Sequence, residues 1–196
     1  MLVIDVKKVV VFFENFCSFG TNFLKFLAVS ACIIVNIGTS VTAIGEEAFY
    51  YCENLKEVIF EEGSRLSSIS EGAFFNCKSL KNVELPNSVI SIGDMAFLGC
   101  SSLESIIIPS SVTSIGDKVF ANCPSLEKIN FEENSQLISI GASAFKKCIK
   151  LKKMSDFLID ANGFFKNTDI FLKNLSECLK EQLTESDSQK PIHILI

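Results

Sequence analysis

The 196-residue chain has no tryptophan, two tyrosines, one histidine and one arginine, and none of its eight cysteines stands in a C-x-x-C pair. Each scarcity removes a class of function. His193, the only imidazole, lies near the end of the chain with no titratable partner in view, so acid–base or Cys–His catalysis has no visible constellation. Without C-x-x-C the usual zinc and redox spacings are missing, and no cofactor is implied. Lys and Arg number 18 against 23 Asp and Glu, a formal net charge of −5. Binding a phosphate backbone needs clustered cations on a basic face, so nucleic acid is set aside as a partner. Trp, Tyr and Arg are the usual anchors of protein interfaces. Their shortage predicts weak contacts per unit of surface, with avidity over many copies as the source of strength.

What the chain has instead is repetition. Between residues 40 and 154 it writes one pattern five times, as in SVTAIGEEAFYYCENLKEVIF and SVISIGDMAFLGCSSLESIII. Phe49, Phe74, Phe97, Phe120 and Phe145 are followed three residues later by Cys52, Cys77, Cys100, Cys123 and Cys148. Leu55, Leu80, Leu103, Leu126 and Leu151 follow each Phe by six. Units of this length cannot bury an apolar face alone, and stacking them makes a solenoid. Five of the cysteines share one inward position, which reads as a column of buried thiols packing as small hydrophobes rather than as disulfides or a metal stack.

The pairs Val58 and Phe60, Val83 and Leu85, Ile106 and Ile108, and Ile129 and Phe131 are each two residues apart and share one face of a strand. The intervening residues point outward, rung above rung. These outward positions are the candidate partner-binding face: Lys56, Glu57 and Ile59; Lys81, Asn82 and Glu84; Glu104, Ser105 and Ile107; Glu127, Lys128 and Asn130; Lys152 and Lys153. Lys81 beside Glu104 and Glu127 beside Lys152 are expected as neighbours on adjacent rungs, a structural role worth at most about 1 kcal/mol each when exposed.

Ile44, Ala48, Phe49 and Cys52 fall on one face of a short helix, with Glu46, Glu71, Asp94 and Asp117 suiting its positive end. The Gly of the Ile-Gly step marks a backbone site of positive φ or close approach. The expected fold class is therefore α/β: a solenoid with a parallel β-sheet on one face and short helices or turns on the other. The longer turns FEEGS and FEENS, against LPNS and IPSS, map to loops on one face.

A unit of the form L-x-x-[IV]-x-[IFL]-P-x-S-V-T-S-I-G-x-x-A-F-x-x-C resembles the BspA-type, or Treponema-type, leucine-rich repeat, and SLESIIIPSSVTSIGDKVFANC matches it almost position for position. The resemblance implies a leucine-rich-repeat solenoid. It also implies a context at the surface of, or secreted from, bacteria or parasitic protists, linked to adhesion or host-protein binding. The family has no shared catalytic residues to carry over, and a protein or glycan ligand follows as the expected partner. An intracellular scaffold or regulatory repeat segment is the rival, with a cytoplasmic location.

Outside the five repeats the template weakens. Residues 1–39 are apolar, and sliding the template back places Phe26 on the Phe column, Val29 on the Cys column, Cys32 on the Leu column and Val35 with Ile37 on the strand. That reads as a worn capping repeat. A targeting or membrane segment through residues 23–38 is the alternative, although Lys25 and Asn36 shorten its clean stretch. Residues 2–13 are read as a strand closing the exposed edge. Residues 155–196 suggest a capping helix with a Leu172, Leu175, Leu179 and Leu183 stripe, or else a partner-binding helix. Asp160 to Gly163 reads as a turn rather than a calcium loop, and Asn174 stands in a formal glycosylation sequon. Lys146, Lys147, Lys150, Lys152 and Lys153 form a basic cluster that reads as a solvated face or an attractor of anionic glycan or membrane.

Overall fold

The computed structural model describes residues 2–6 and 32–151. Phe26, Val29, Lys152, Lys153, the helix expected around Leu172 to Leu183, the Asp160 turn, Asn174 and His193 lie outside the described residues. Eleven strands follow in order: β1 (Leu2–Val6), β2 (Cys32–Ile37), β3 (Ala43–Ile44), β4 (Glu57–Phe60), β5 (Ser68–Ile69), β6 (Asn82–Glu84), β7 (Ser91–Ile92), β8 (Ser105–Ile108), β9 (Ser114–Ile115), β10 (Lys128–Phe131) and β11 (Ser139–Ile140). Every pairing is parallel, because each coil of backbone returns to the same side before the next begins.

The longer strands line one side as two hydrogen-bonded ladders, β1-β2-β4 and β10-β8-β6, with β4 and β6 side by side at the junction. Val35 sits beside Val58 and Ile37 beside Phe60, so β2 continues the inward pattern one rung upstream. The Leu2–Val6 part of the expected edge strand pairs with β2, Val6 opposite Ile37. A second sheet of two-residue strands, β11-β9-β7-β5-β3, runs along another side.

Between the two strand faces the chain turns, and here the expected short helices do not form: among the described residues no helix is present. Two residues in every coil adopt left-handed φ, at two before and two after the Phe. Glu47, Gly72, Met95, Lys118 and Ser143 form the first column, and Tyr51, Asn76, Gly99, Asn122 and Lys147 the second. Their φ values run from 53° to 76°. A non-Gly residue there costs roughly 1–2 kcal/mol, which stops helix propagation. What offsets the cost is bonding between coils. Glu47, Phe49 and Tyr51 donate their N–H groups to the carbonyls of Glu71, Ala73 and Phe75 at 2.9, 2.7 and 2.8 Å, and the same trio recurs at each later junction. Three such bonds at about 0.5–1.5 kcal/mol each balance two strained residues.

The acids expected at helix starts serve the same stacking. Asp94 Oδ1 accepts the Asp117 N–H at 2.8 Å, and Asp117 Oδ1 accepts the Ala142 N–H at 2.7 Å. The glycines of the Ile-Gly step mark close approach rather than positive φ: a Cβ on Gly93 would lie 2.8 Å from Glu71 N, and one on Gly116 would lie 2.6 Å from Asp94 N. Positive φ appears instead at Gly63 (77°) and Asn134 (58°), in the two longer turns.

Inside, the columns are continuous. Phe74, Phe97 and Phe120 are fully buried, and neighbouring rings from Phe49 to Phe145 stack with centroids 5.1 to 5.9 Å apart and interplanar angles of 10° or less. The Cys and Leu columns flank the rings, and Ile44, Ile69, Ile92, Ile115 and Ile140 seal the second sheet's inner side.

Truncation of the central ring, Phe97→Ala, is expected to lower unfolding free energy in urea by about 3–5 kcal/mol, against less than about 1 for the exposed Ile107→Ala. Gly116→Ala is expected to cost about 1–3 kcal/mol in the same titration, since backbone rather than a mobile side chain meets the new methyl.

Candidate functional site

Alternation along the longer strands decides what the solvent meets. In β4 Val58 is buried while Glu57 and Ile59 are exposed, and in β8 Ile106 and Ile108 are buried while Ile107 is 45% exposed. Parallel register then aligns the outward residues into columns. Asn82, Ser105 and Lys128 form one, Glu84, Ile107 and Asn130 another, and Asn36 stands beside Ile59. Ser105 Oγ lies 3.1 Å from Asn82 Oδ1, so the hydroxyl donates along the first column. Lys56, Lys81, Glu104 and Glu127 are exposed at the strand entrances. The arrangement is a polar, charged face with Ile59 (42% exposed) and Ile107 as its apolar points.

Lys81 and Glu104 are neighbours through the backbone, the Glu104 N–H donating to the Lys81 carbonyl at 2.9 Å. Charges close across rungs one column away, in Lys78–Glu53 at 2.8 Å and Lys150–Glu127 at 3.4 Å. All four side chains are about half exposed, so solvent screening keeps each pair within about 1 kcal/mol. Glu127 thus has Lys150 as a partner, whereas Lys152 lies outside the described residues.

Sequence reasoning missed a second surface. An open groove of about 450 Å³ runs over the short-strand sheet, floored by Gly93, Gly116 and Gly141 and edged by Ser91, Ser114 and Ser139. The repeated Ser-Ile-Gly was its signal, but two-residue strands are too short to show an alternation. The carboxylates at its rim, Asp94 and Asp117, are already engaged with backbone N–H groups.

The thiol column faces the core. Cys77, Cys100, Cys123 and Cys148 are free and donate to the carbonyls of Phe49, Phe74, Phe97 and Phe120 at 3.2, 3.2, 3.3 and 3.0 Å. Only the protonated thiol can donate, and desolvation keeps it so: burial pushes Cys100 and Cys148 up to about 12 and raises Cys77 and Cys123 well above their usual value. Such thiols are poor nucleophiles and poor ligands. Among the described residues no group of His, Cys, Asp and Glu is placed to hold a metal, and no helix is long and apolar enough to cross a membrane.

Six copies of the BspA-type leucine-rich repeat region match residues 25–156. The chain belongs to the BspA-type leucine-rich repeat family. Its fold is similar to that of the T. pallidum leucine-rich repeat protein, at 24% identity and a TM-score of 0.51, over 69% of this chain and 72% of that one. A leucine-rich cell surface protein from Faecalibacterium prausnitzii A2-165 is 30% identical with a TM-score of 0.54, over 62% of this chain and 38% of that protein. The pneumococcal vaccine antigen PcpA is 27% identical with a TM-score of 0.50, over 59% and 28%. The chain therefore spans well under half of these last two proteins. No curated protein sequence matches it.

For the BspA-type thiol column the pH dependence has a definite sign. An unfolded thiol ionises near 9.0 and the folded Cys100 near 12, so stability is full below pH 9 and falls as pH rises toward 12. The urea midpoint is expected to drop across that window, and to drop less steeply in a Cys77→Ala/Cys100→Ala variant. Equal slopes in the two proteins would place the titration elsewhere.

Proposed function

We propose that this BspA-type array is a non-catalytic binding module that presents its outward strand face to a protein or glycan ligand, at a cell surface or outside the cell. One observation carries the reading: a register-locked face on which Ile59 and Ile107 stand exposed among columns of charged and amide side chains. Such a face is ordered before it meets a partner, so little conformational entropy is lost on binding. The exposed isoleucines supply apolar contact, while Lys56, Glu57, Asn82, Glu84, Glu104, Lys128 and Asn130 supply directional hydrogen bonds. Support for a surface setting comes from the similar proteins, one a cell surface protein and one a vaccine antigen.

The five unpaired buried cysteines favour a second reading, a scaffold in a reducing compartment. Labelling intact source cells with a membrane-impermeant amine reagent separates the two: labelled chain supports the surface setting, and chain labelled only after lysis supports the scaffold.

Binding of the full chain to a glycan array and to immobilised extracellular proteins is expected to fall at least about fivefold in Ile59→Asp/Ile107→Asp, with the melting temperature nearly unchanged because both side chains are exposed. Retention of full binding by that variant would reject the strand face as the recognition surface.

A further inference from the structure

The turn face, on the side that the strand columns do not use, carries a charge gradient that runs from one end of the array to the other. Residues 45–55, the turn segment of the Phe49 coil, contain Glu46, Glu47 and Glu53 and no Lys or Arg. Residues 141–151, the matching segment of the Phe145 coil, contain Lys146, Lys147 and Lys150 and no Asp or Glu. The three segments between them are close to neutral, with Glu71 and Lys78, Asp94 alone, and Asp117 and Lys118.

The acidic end also carries the chain's only tyrosines. Tyr50 stacks on Phe75 at 4.6 Å, Tyr51 meets Tyr50 edge-on at 4.7 Å, and Tyr50 and Tyr51 are 37% and 44% exposed. A point at Gly72 lies 3.4 Å from Glu47 Cγ and 3.9 Å from Tyr50 and Phe75, so carboxylate and rings converge on one spot. An acid-flanked aromatic cluster suits an ammonium group, through the ring quadrupole and the nearby negative charge. The lysines at the opposite end occupy equivalent turn positions: Lys146 and Lys147 follow Phe145 as Tyr50 and Tyr51 follow Phe49. Inter-coil hydrogen bonds from Tyr51, Asn76, Gly99 and Asn122 at 2.7 to 2.9 Å hold this column straight.

We propose that the turn face is a self-association surface on which a second copy of this chain packs side by side and antiparallel. A two-fold axis through the middle coil, that of Phe97, sets the Tyr50-Tyr51 end of each copy against the Lys147 end of the other. The contact is made twice, as an isologous dimer requires. Between them the near-neutral segments, with Leu98 and the small Gly99 and Ala121, leave no like-charge clash. The end coils are four steps of about 4.8 Å apart, a short face that gives a weak association governed by charge. The outward strand columns stay free in such a pair, so two copies of the proposed binding face are displayed together.

Sedimentation velocity of the full chain tests this. At about 50 mM salt a concentration-dependent dimer is expected, weakened at least about tenfold at about 500 mM. Glu46→Lys/Glu47→Lys and Lys147→Glu/Lys150→Glu are each expected to be monomeric alone and to form a one-to-one dimer when mixed, because mixing restores opposite charges at both ends. Tyr51→Ser, at an exposed position where folding is not at stake, is expected to weaken the wild-type dimer about fivefold. A wild-type chain monomeric up to about 100 μM at low salt, a dimer indifferent to salt and to Tyr51→Ser, or a mixture of folded charge variants that stays monomeric would each overturn the proposal.

Discussion

Every feature of this molecule depends on backbone groups finding their partners one coil away rather than along the chain. An α-helix satisfies its own N–H groups and needs neighbours only for its apolar stripe. Here the turn segments from Glu47 to Tyr51 and their counterparts have no such internal solution, and their amides reach the carbonyls of the next coil. The spacing that this imposes explains the rest. It brings glycine 93 and glycine 116 against backbone, sets the Phe rings 5.1 to 5.9 Å apart in parallel planes, and puts each thiol within reach of the preceding coil's Phe carbonyl. Stability is then shared among junctions instead of concentrated in one core.

Much of this was legible in the residues. The two-residue spacing of Val58 and Phe60 gave the inward face, and the invariant Phe-to-Cys step gave a column that is buried throughout. Sliding that template upstream aligned Val35 and Ile37 with the strand, which is where β2 pairs with β4. The helix was the misreading. Ile44, Ala48 and Cys52 are four apart and all buried, but a run of tight turns around a coil buries the same positions, and periodicity alone does not separate the two. Left-handed residues would have, yet six of the ten carry ordinary side chains such as Met95 and Lys118, so composition hid them. The Ile-Gly glycine was ambiguous for a related reason: both positive φ and close approach select it, and only the stacking distance decides.

The outward columns follow from alternation, and their membership was therefore readable, whereas the pairing of charges was not. Long side chains reach diagonally, so Lys78 finds Glu53 and Lys150 finds Glu127 while Lys81 and Glu104 meet through their main chains. The groove over the Ser-Ile strands was hidden because a strand of two residues has no period. What the family adds is architecture; the ligand of the strand face remains a proposal resting on which side chains that architecture exposes.

The bond from each cysteine to the phenylalanine before it has nearly the same length at four successive places, between 3.0 and 3.3 Å. Junctions so alike are interchangeable. A gene that duplicates or deletes one unit by recombination between its near-identical segments creates no new packing problem, because the incoming copy presents the same donor above and the same acceptor below. Length thus becomes a heritable variable that can drift with little penalty, while the chemistry sealing one layer to the next stays constant.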